Sequence, residues 1–248
     1  MIFSRIRTLG RTFDVFPSSV IPTEPERYRD STDTAATVFL LPSLDSDIRV
    51  IHLDEKGKNG GLSLAPALAA TVFLIAERGL PLDEISVEAP DGIFDTMKLG
   101  KDGKYCVRLP KCKLLCSNMM KNVKNAEISF CDVMVFDKRV RVIQCMDAER
   151  FLPENMPLLV LDDKSVRADV VAVASAVEKE LTVKSYSLSA GVSDYLYAAI
   201  AAHRILCRDD AVVFSSDVEL EFIKYEGKIF ITSPYTPPMT FTAPDIVF

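Results

Sequence analysis

Two stretches of the chain repeat one another. The first runs from Leu64 to Pro110 and the second from Ala190 to Pro234, an offset of 126 at their first residues. At that offset Asp83-Glu84 falls on Asp209-Asp210, Asp91 on Asp217 and Lys98 on Lys224. Beyond Lys98 a two-residue slip brings Gly103 onto Gly227. Fixed-period self-similarity is the mark of a duplicated unit. Whatever fold the chain adopts must therefore be buildable twice. The 248 residues, 48% of them hydrophobic, suffice for two domains of ordinary size. The division expected is residues 1–113 and 114–248, with the C-terminal tail able to pack back on the first domain.

Each copy reads as a strand, a tight turn, a buried helix and a strand meander. Leu64–Arg78 is apolar on nearly every side, which means burial rather than a one-sided stripe. Ser63 stands as its N-cap, Pro66 in its first turn and Gly79 as its C-cap. The second buried helix is expected over Val192–Leu206. An opening strand is expected over Ile2–Phe16, with a turn at Gly10, and further strands over Ala36–Leu41, Asp47–Leu53, Ala126–Phe136, Arg139–Gln144 and Leu181–Ser187. An amphipathic helix is expected over Ser165–Lys179, capped by Asp163 or Ser165. Short turns after each buried helix favour antiparallel pairing. The expected class is α+β: two similar domains, each an antiparallel sheet or half-barrel wrapped on a central helix, with a cleft between them.

A net charge of −6 weighs against nucleic acid or an anionic membrane surface as partner. Five of the six cysteines (Cys106, Cys112, Cys116, Cys131 and Cys145) cluster, and Cys207 stands apart; they read as reduced, mostly buried thiols. Cys112 and Cys116 lack paired metal-ligand spacing and have no histidine nearby, so no metal is expected. Thr71–Ala76 is too short to span a bilayer. A cytoplasmic protein without a cofactor is expected.

On these residues the chain resembles the diaminopimelate epimerase family and its wider superfamily of proline racemases, phenazine-biosynthesis-type isomerases and methylaconitate isomerases. Thr8-Leu9-Gly10-Arg11-Thr12-Phe13 is similar to the family's GLGNDF run. Glu77-Arg78-Gly79-Leu80, followed by ISVEAPDG, is similar to its ERGL segment and next strand. Ala198–Arg204 resembles its second helix, and Gly227 with Thr232-Ser233-Pro234 its terminal strand. The resemblance implies a cofactor-independent isomerase fold associated with lysine biosynthesis. In it, two cysteines face each other at the N-termini of the two central helices. One thiolate removes an α-proton and the other thiol returns one from the opposite face, while the helix ends hold the substrate carboxylate.

Carried over residue by residue, that chemistry is missing. The first cysteine falls on Leu64 by the repeat offset, or on Ser63 when counted forward from Asp47 and Gly57. The second falls on Ala190. The family's acidic and threonine positions just upstream become Tyr186 and Ser187, and its substrate-binding asparagine becomes Arg11. The residues left as candidate ligand contacts are Arg11, Ser63, Ser187, Ser189, Gly191, Ser193 and Asp194. Asp194, Ser63 and His52 are also candidates for a single acid–base group. The bland readings are caps and turn residues for the serines, a helix-start carboxylate for Asp194 and structural roles for His52 and His203. Arg5, Arg7 and Arg11 are expected to share one strand face.

Three functions remain open. The first is a divergent member without two-cysteine racemase or epimerase activity that binds a small carboxylate or amino acid at the cleft between the domains. The second is an isomerase of altered single-base chemistry on an amino acid or unsaturated acid. The third is a non-enzymatic scaffold or homodimeric partner protein.

Overall fold

A computed structural model describes residues 2–17, 36–54, 58, 61–100, 104–123, 126–148, 167–187, 194–207, 209–215, 217–234 and 237–242. The chain forms two compact units, Met1–Arg108 with Phe230–Phe248, and Leu109–Ile229.

The first unit contains β1 (Ile2–Thr8), β2 (Arg11–Pro17), β3 (Ala36–Leu41), β4 (Ile48–Leu53), α1 (Leu64–Val72), β5 (Glu84–Ala89), β6 (Gly92–Leu99) and β7 (Lys104–Arg108). From the far end of the chain come the paired residues of β15 (Lys228–Thr232), antiparallel to β7, and β16 (Met239–Thr242), antiparallel to β1. All nine residues of α1 are buried, and the helix lies against each of β1 to β7. Ala, Leu and Val on every side leave it no polar face to show to water.

The second unit repeats the plan with β9 (Ala126–Val135), β10 (Lys138–Gln144), β11 (Val170–Val177), β12 (Glu180–Ser187), α2 (Asp194–Leu206), β13 (Ala211–Ser215) and β14 (Val218–Tyr225). Its helix packs on β9 to β13. An additional strand, β8 (Lys113–Val123), pairs with β9.

The duplication extends further than the compared stretches. In the first hairpin Ser4↔Val15 through Thr8↔Arg11 pair across β1 and β2. In the second, Cys131↔Val142 through Val135↔Lys138 pair across β9 and β10. Residue for residue these registers are offset by 127 (4 to 131, 15 to 142). The turns into β6 and β14 keep the offset of 126, at Asp91 and Asp217. The equivalent lysines each donate their N–H to the acidic pair before the hairpin, but to different groups: Lys98 to the Asp83 carbonyl and Lys224 to the Asp210 carboxylate.

Three expectations are corrected. The sheets are mixed rather than antiparallel: β2 runs parallel to β3 and β4 to β5, and likewise β10 to β11 and β12 to β13. The reading from short turns holds for β5–β6–β7, but α1 and α2 are crossovers long enough to set their flanking strands parallel. The helix expected over Ser165–Lys179 is instead β11. Val170–Ala174 is apolar at every position and buried on both faces, a pattern that periodicity alone cannot assign between helix and strand. The first helix is also not uniform: it widens into a π-turn over Phe73–Glu77. It stops where expected, with Gly79 at φ +65 and Leu80 N–H returning to the Leu74 carbonyl.

Candidate functional site

The start of α1 is sealed. Leu62, Ser63, Leu64 and Ala65 are each 0% exposed. Thr8 at the end of β1 donates its hydroxyl to the Ala65 carbonyl at 3.1 Å, which fixes the hairpin end to the helix start. The tight turn beyond, with Leu9 at φ 46 and Gly10 at φ 78, is held by the Leu9 N–H donating to Ser233 Oγ at 2.7 Å.

Ser63 occupies the N-cap position, as expected, but does not cap. Its φ of −84 and ψ of 5 lie outside the extended geometry of a capping serine, and its side chain makes no cap hydrogen bond. Its Oγ is buried with no hydrogen-bond partner. The carboxylate at this helix end comes from Asp91, whose Oδ2 accepts the Ser63 backbone N–H at 3.0 Å. That carboxylate is bonded to the backbone amide rather than to the side-chain hydroxyl. Leu64, in the other cysteine alignment, is the first residue of α1 and fully buried.

Arg11 does not share a strand face with Arg5 and Arg7. The Leu9-Gly10 turn places it on β2, opposite Thr8, and its guanidinium lies 5.2 Å from the centroid of the Phe13 ring. It is 6% exposed. Thr8 thus links Arg11, by strand register, to the helix start that carries Ser63. His52 is buried on β4 opposite Val38, two strands beyond the hairpin.

In the second unit Ser187 ends β12, half-buried, and Asp194 opens α2, also half-buried. Ser189, Ala190, Gly191 and Ser193 lie outside the described residues. A recess of about 780 Å³ is lined by Lys184, Tyr186, Phe214, Asp217 and Glu219, together with Thr182, Val183 and Ser185. Of these, the sequence had pointed only to Tyr186 and, through the repeat, to Asp217 as mate of Asp91.

His203 is structural. Its Nε2 lies 2.8 Å from the Asp209 carbonyl and its ring stacks on Phe222 at 4.2 Å between centroids. Burial holds its imidazole below the ordinary value. The six cysteines form no disulfide; two are buried and four half-buried, so they are more accessible than expected. Burial pushes the Cys106 thiol up to about 12 and Cys112 to about 11, against any nucleophilic or proton-transferring role. Among the described residues no three His, Cys, Asp or Glu side chains gather as metal ligands, and no helix is long and apolar enough to cross a membrane.

No family model matches the sequence, and no curated protein matches it as a relative. Solved structures do match. The phenazine biosynthesis protein of the PhzF family from Bacillus anthracis shares 13% identity at a TM-score of 0.60, over 98% of this chain and 99% of that one. The fold is diaminopimelate epimerase-like. The hydroxyproline epimerase of Agrobacterium vitis matches at 12% identity and a TM-score of 0.58, over 97% and 91% of the two chains. A methylitaconate-delta-isomerase matches at 11% identity and 0.61, over 97% and 95%. At such identities the likeness of the diaminopimelate epimerase-like fold extends to architecture alone.

Proposed function

We propose that this chain is a divergent diaminopimelate epimerase-like protein without two-cysteine proton exchange, and that it binds a small carboxylate at the start of α1. The observation that carries this reading is the buried, unpartnered Ser63 Oγ. An unsatisfied buried hydroxyl costs about 1–3 kcal/mol. The first amides of a helix also lack intrahelical acceptors, and Pro66 has no N–H to offer. A carboxylate admitted there by an opening of the sealed helix start would accept from the hydroxyl and from first-turn amides that Asp91 does not occupy, and would lie favourably in the helix dipole. With Leu64 or Ser63 at one cysteine position and Ala190 at the other, neither slot carries the thiol that the two-cysteine exchange needs.

The test has two arms on the full chain. Titration with acetate, proline and diaminopimelate, followed by amide NMR shifts, should move the Leu64 and Ala65 signals. The effect should weaken in Ser63→Ala. Incubation with the same amino acids in deuterated water should give no α-deuteration above background. Exchange above background sinks the loss-of-chemistry reading, and unmoved Leu64 and Ala65 signals sink the carboxylate reading.

One observation favours an isomerase of single-base chemistry as the second reading: Asp194 stands half-buried in the first turn of α2. It predicts turnover of an unsaturated acid that Asp194→Asn abolishes.

A further inference from the structure

The two duplicated hairpins carry the same ion-pair fork with its charges exchanged. In the first, Arg5 on β1 donates Nε and Nη2 to the two carboxylate oxygens of Asp14 on β2, at 2.7 and 2.9 Å. In the second, Arg141 on β10 donates Nε and Nη2 to those of Asp132 on β9, at 2.8 and 2.9 Å. The offset of 127 places Arg5 on Asp132 and Asp14 on Arg141. Base and acid have traded strands at equivalent positions. Both forks are largely enclosed: the side chains of Arg5 and Asp14 are 21% and 10% exposed, those of Arg141 and Asp132 3% and 0%.

Turn length and apolar register do not tell these hairpins apart. Each closes through a two-residue turn, Leu9-Gly10 or Phe136-Asp137. The apolar pair Ile6↔Phe13 corresponds to Val133↔Val140, in the same register. A strand of one hairpin therefore fits its counterpart's partner by register and hydrophobic pattern. Exchange of strands between copies is a characteristic failure of repeated chains.

The charges forbid it. If β1 paired with β10 in the native register, Arg5 would stand opposite Arg141 and Arg7 opposite Arg139. If β2 paired with β9, Asp14 would stand opposite Asp132, at a site closed to water. Like charges directly opposite one another are destabilising on a sheet, and a buried charge without its partner is strongly so. In the native pairing Arg139 reinforces the second fork, with Nε 2.9 Å from Asp132 Oδ2. The Arg141 guanidinium also lies 4.4 Å from the centroid of the Phe130 ring.

We propose that the exchanged forks form a pairing code, built into the fold, that keeps the two duplicated hairpins from trading strands within one chain or between two copies of it. Each fork is locally neutral to polarity, since either orientation closes its own hairpin. Only the difference between the two orientations rejects the hybrid pairs, which is specificity by disfavouring alternatives.

Two full-length variants test this. Arg5→Asp with Asp14→Arg reverses the first fork, leaving it closable but giving both hairpins one polarity. The full exchange adds Asp132→Arg, Arg139→Thr and Arg141→Asp, restoring the difference in the opposite sense. Each is refolded from denaturant, and native monomer is quantified by size exclusion and circular dichroism. The one-sided variant should lose at least about threefold of the parent's monomer recovery, in favour of oligomers or misfolded chain. The full exchange should recover most of that loss. A one-sided variant that fails to fold while the full exchange folds supports the code equally. Parental recovery by the one-sided variant overturns it, as does a full exchange that refolds no better than the one-sided variant.

Discussion

At Ser63 the chain keeps a hydroxyl in a place that neither solvent nor protein satisfies. Ser63→Ala removes that unsatisfied group without opening much space, so thermal stability should stay level or rise by up to about 1 kcal/mol. A loss of about 2 kcal/mol or more in a denaturation curve would mean that the hydroxyl has a partner after all. Asp91→Ala has the opposite sign: it strips the acceptor from the Ser63 N–H and should cost about 1 kcal/mol. The sequence put Ser63 at the helix start and paired Asp91 with Asp217. It could not show that Asp91 takes over at the cap, because that bond joins residues 28 apart through a turn whose position depends on the packed sheet. Arg11 was misplaced for a simpler reason. Counting alternation straight through Leu9-Gly10 ignores a reversal that flips which face each residue occupies.

His203 gives the residue scale its pH dependence. Its folded value lies below the unfolded one of about 6.5, so between the two the unfolded chain binds more protons and stability rises with pH. The contribution is complete above about 6.5 and is lost as pH falls through that value towards the folded one. Denaturant midpoints measured between about pH 7.5 and 5.5 should fall more steeply for the parent than for His203→Gln. Parallel profiles would contradict the burial effect.

Among the elements, the end of the π-turn is the most exposed to substitution. Gly79 sits at φ +65, and a Cβ added there would meet nothing within 4 Å, so Gly79→Ala meets a backbone penalty rather than a clash. It should cost about 1 kcal/mol. Legibility differs sharply between elements. The buried helices and the hairpins after them were readable because apolar runs, Asp-Gly and glycine turns carry local signals. The strand β11 was not, since five consecutive apolar residues satisfy both periods. Strand β8 was missed because KLLCSNMMKNV alternates poorly, and its pairing with β9 shifts register between Leu114 and Cys116 and again between Cys116 and Met119. The parallel pairs were missed because they are set by what crosses between strands and not by the strands themselves.

For the whole molecule, the duplication was legible from its second half onward in each copy, and the structure carries it back to the first hairpin. Residues 230–242 belong to the first unit: Thr232 donates its hydroxyl to the Tyr105 carbonyl at 2.6 Å, and Thr240 donates to Glu77, which also accepts from Ser4. A chain ending at Ile229 should therefore lose protection of β1 and β7 in hydrogen exchange while β9 to β13 keep theirs. Equal loss in both sets would show that the units do not fold as separate bodies.

The same return of the chain gives the molecule an order of manufacture. On a ribosome the unit begun first is finished last, because its closing strands are specified only after the whole of the second unit. At about 5–20 residues per second, the β7 edge waits on the order of ten seconds for β15. The uninterrupted second unit is made, start to end, inside that interval, so the nascent chain carries a finished neighbour before its own beginning is complete.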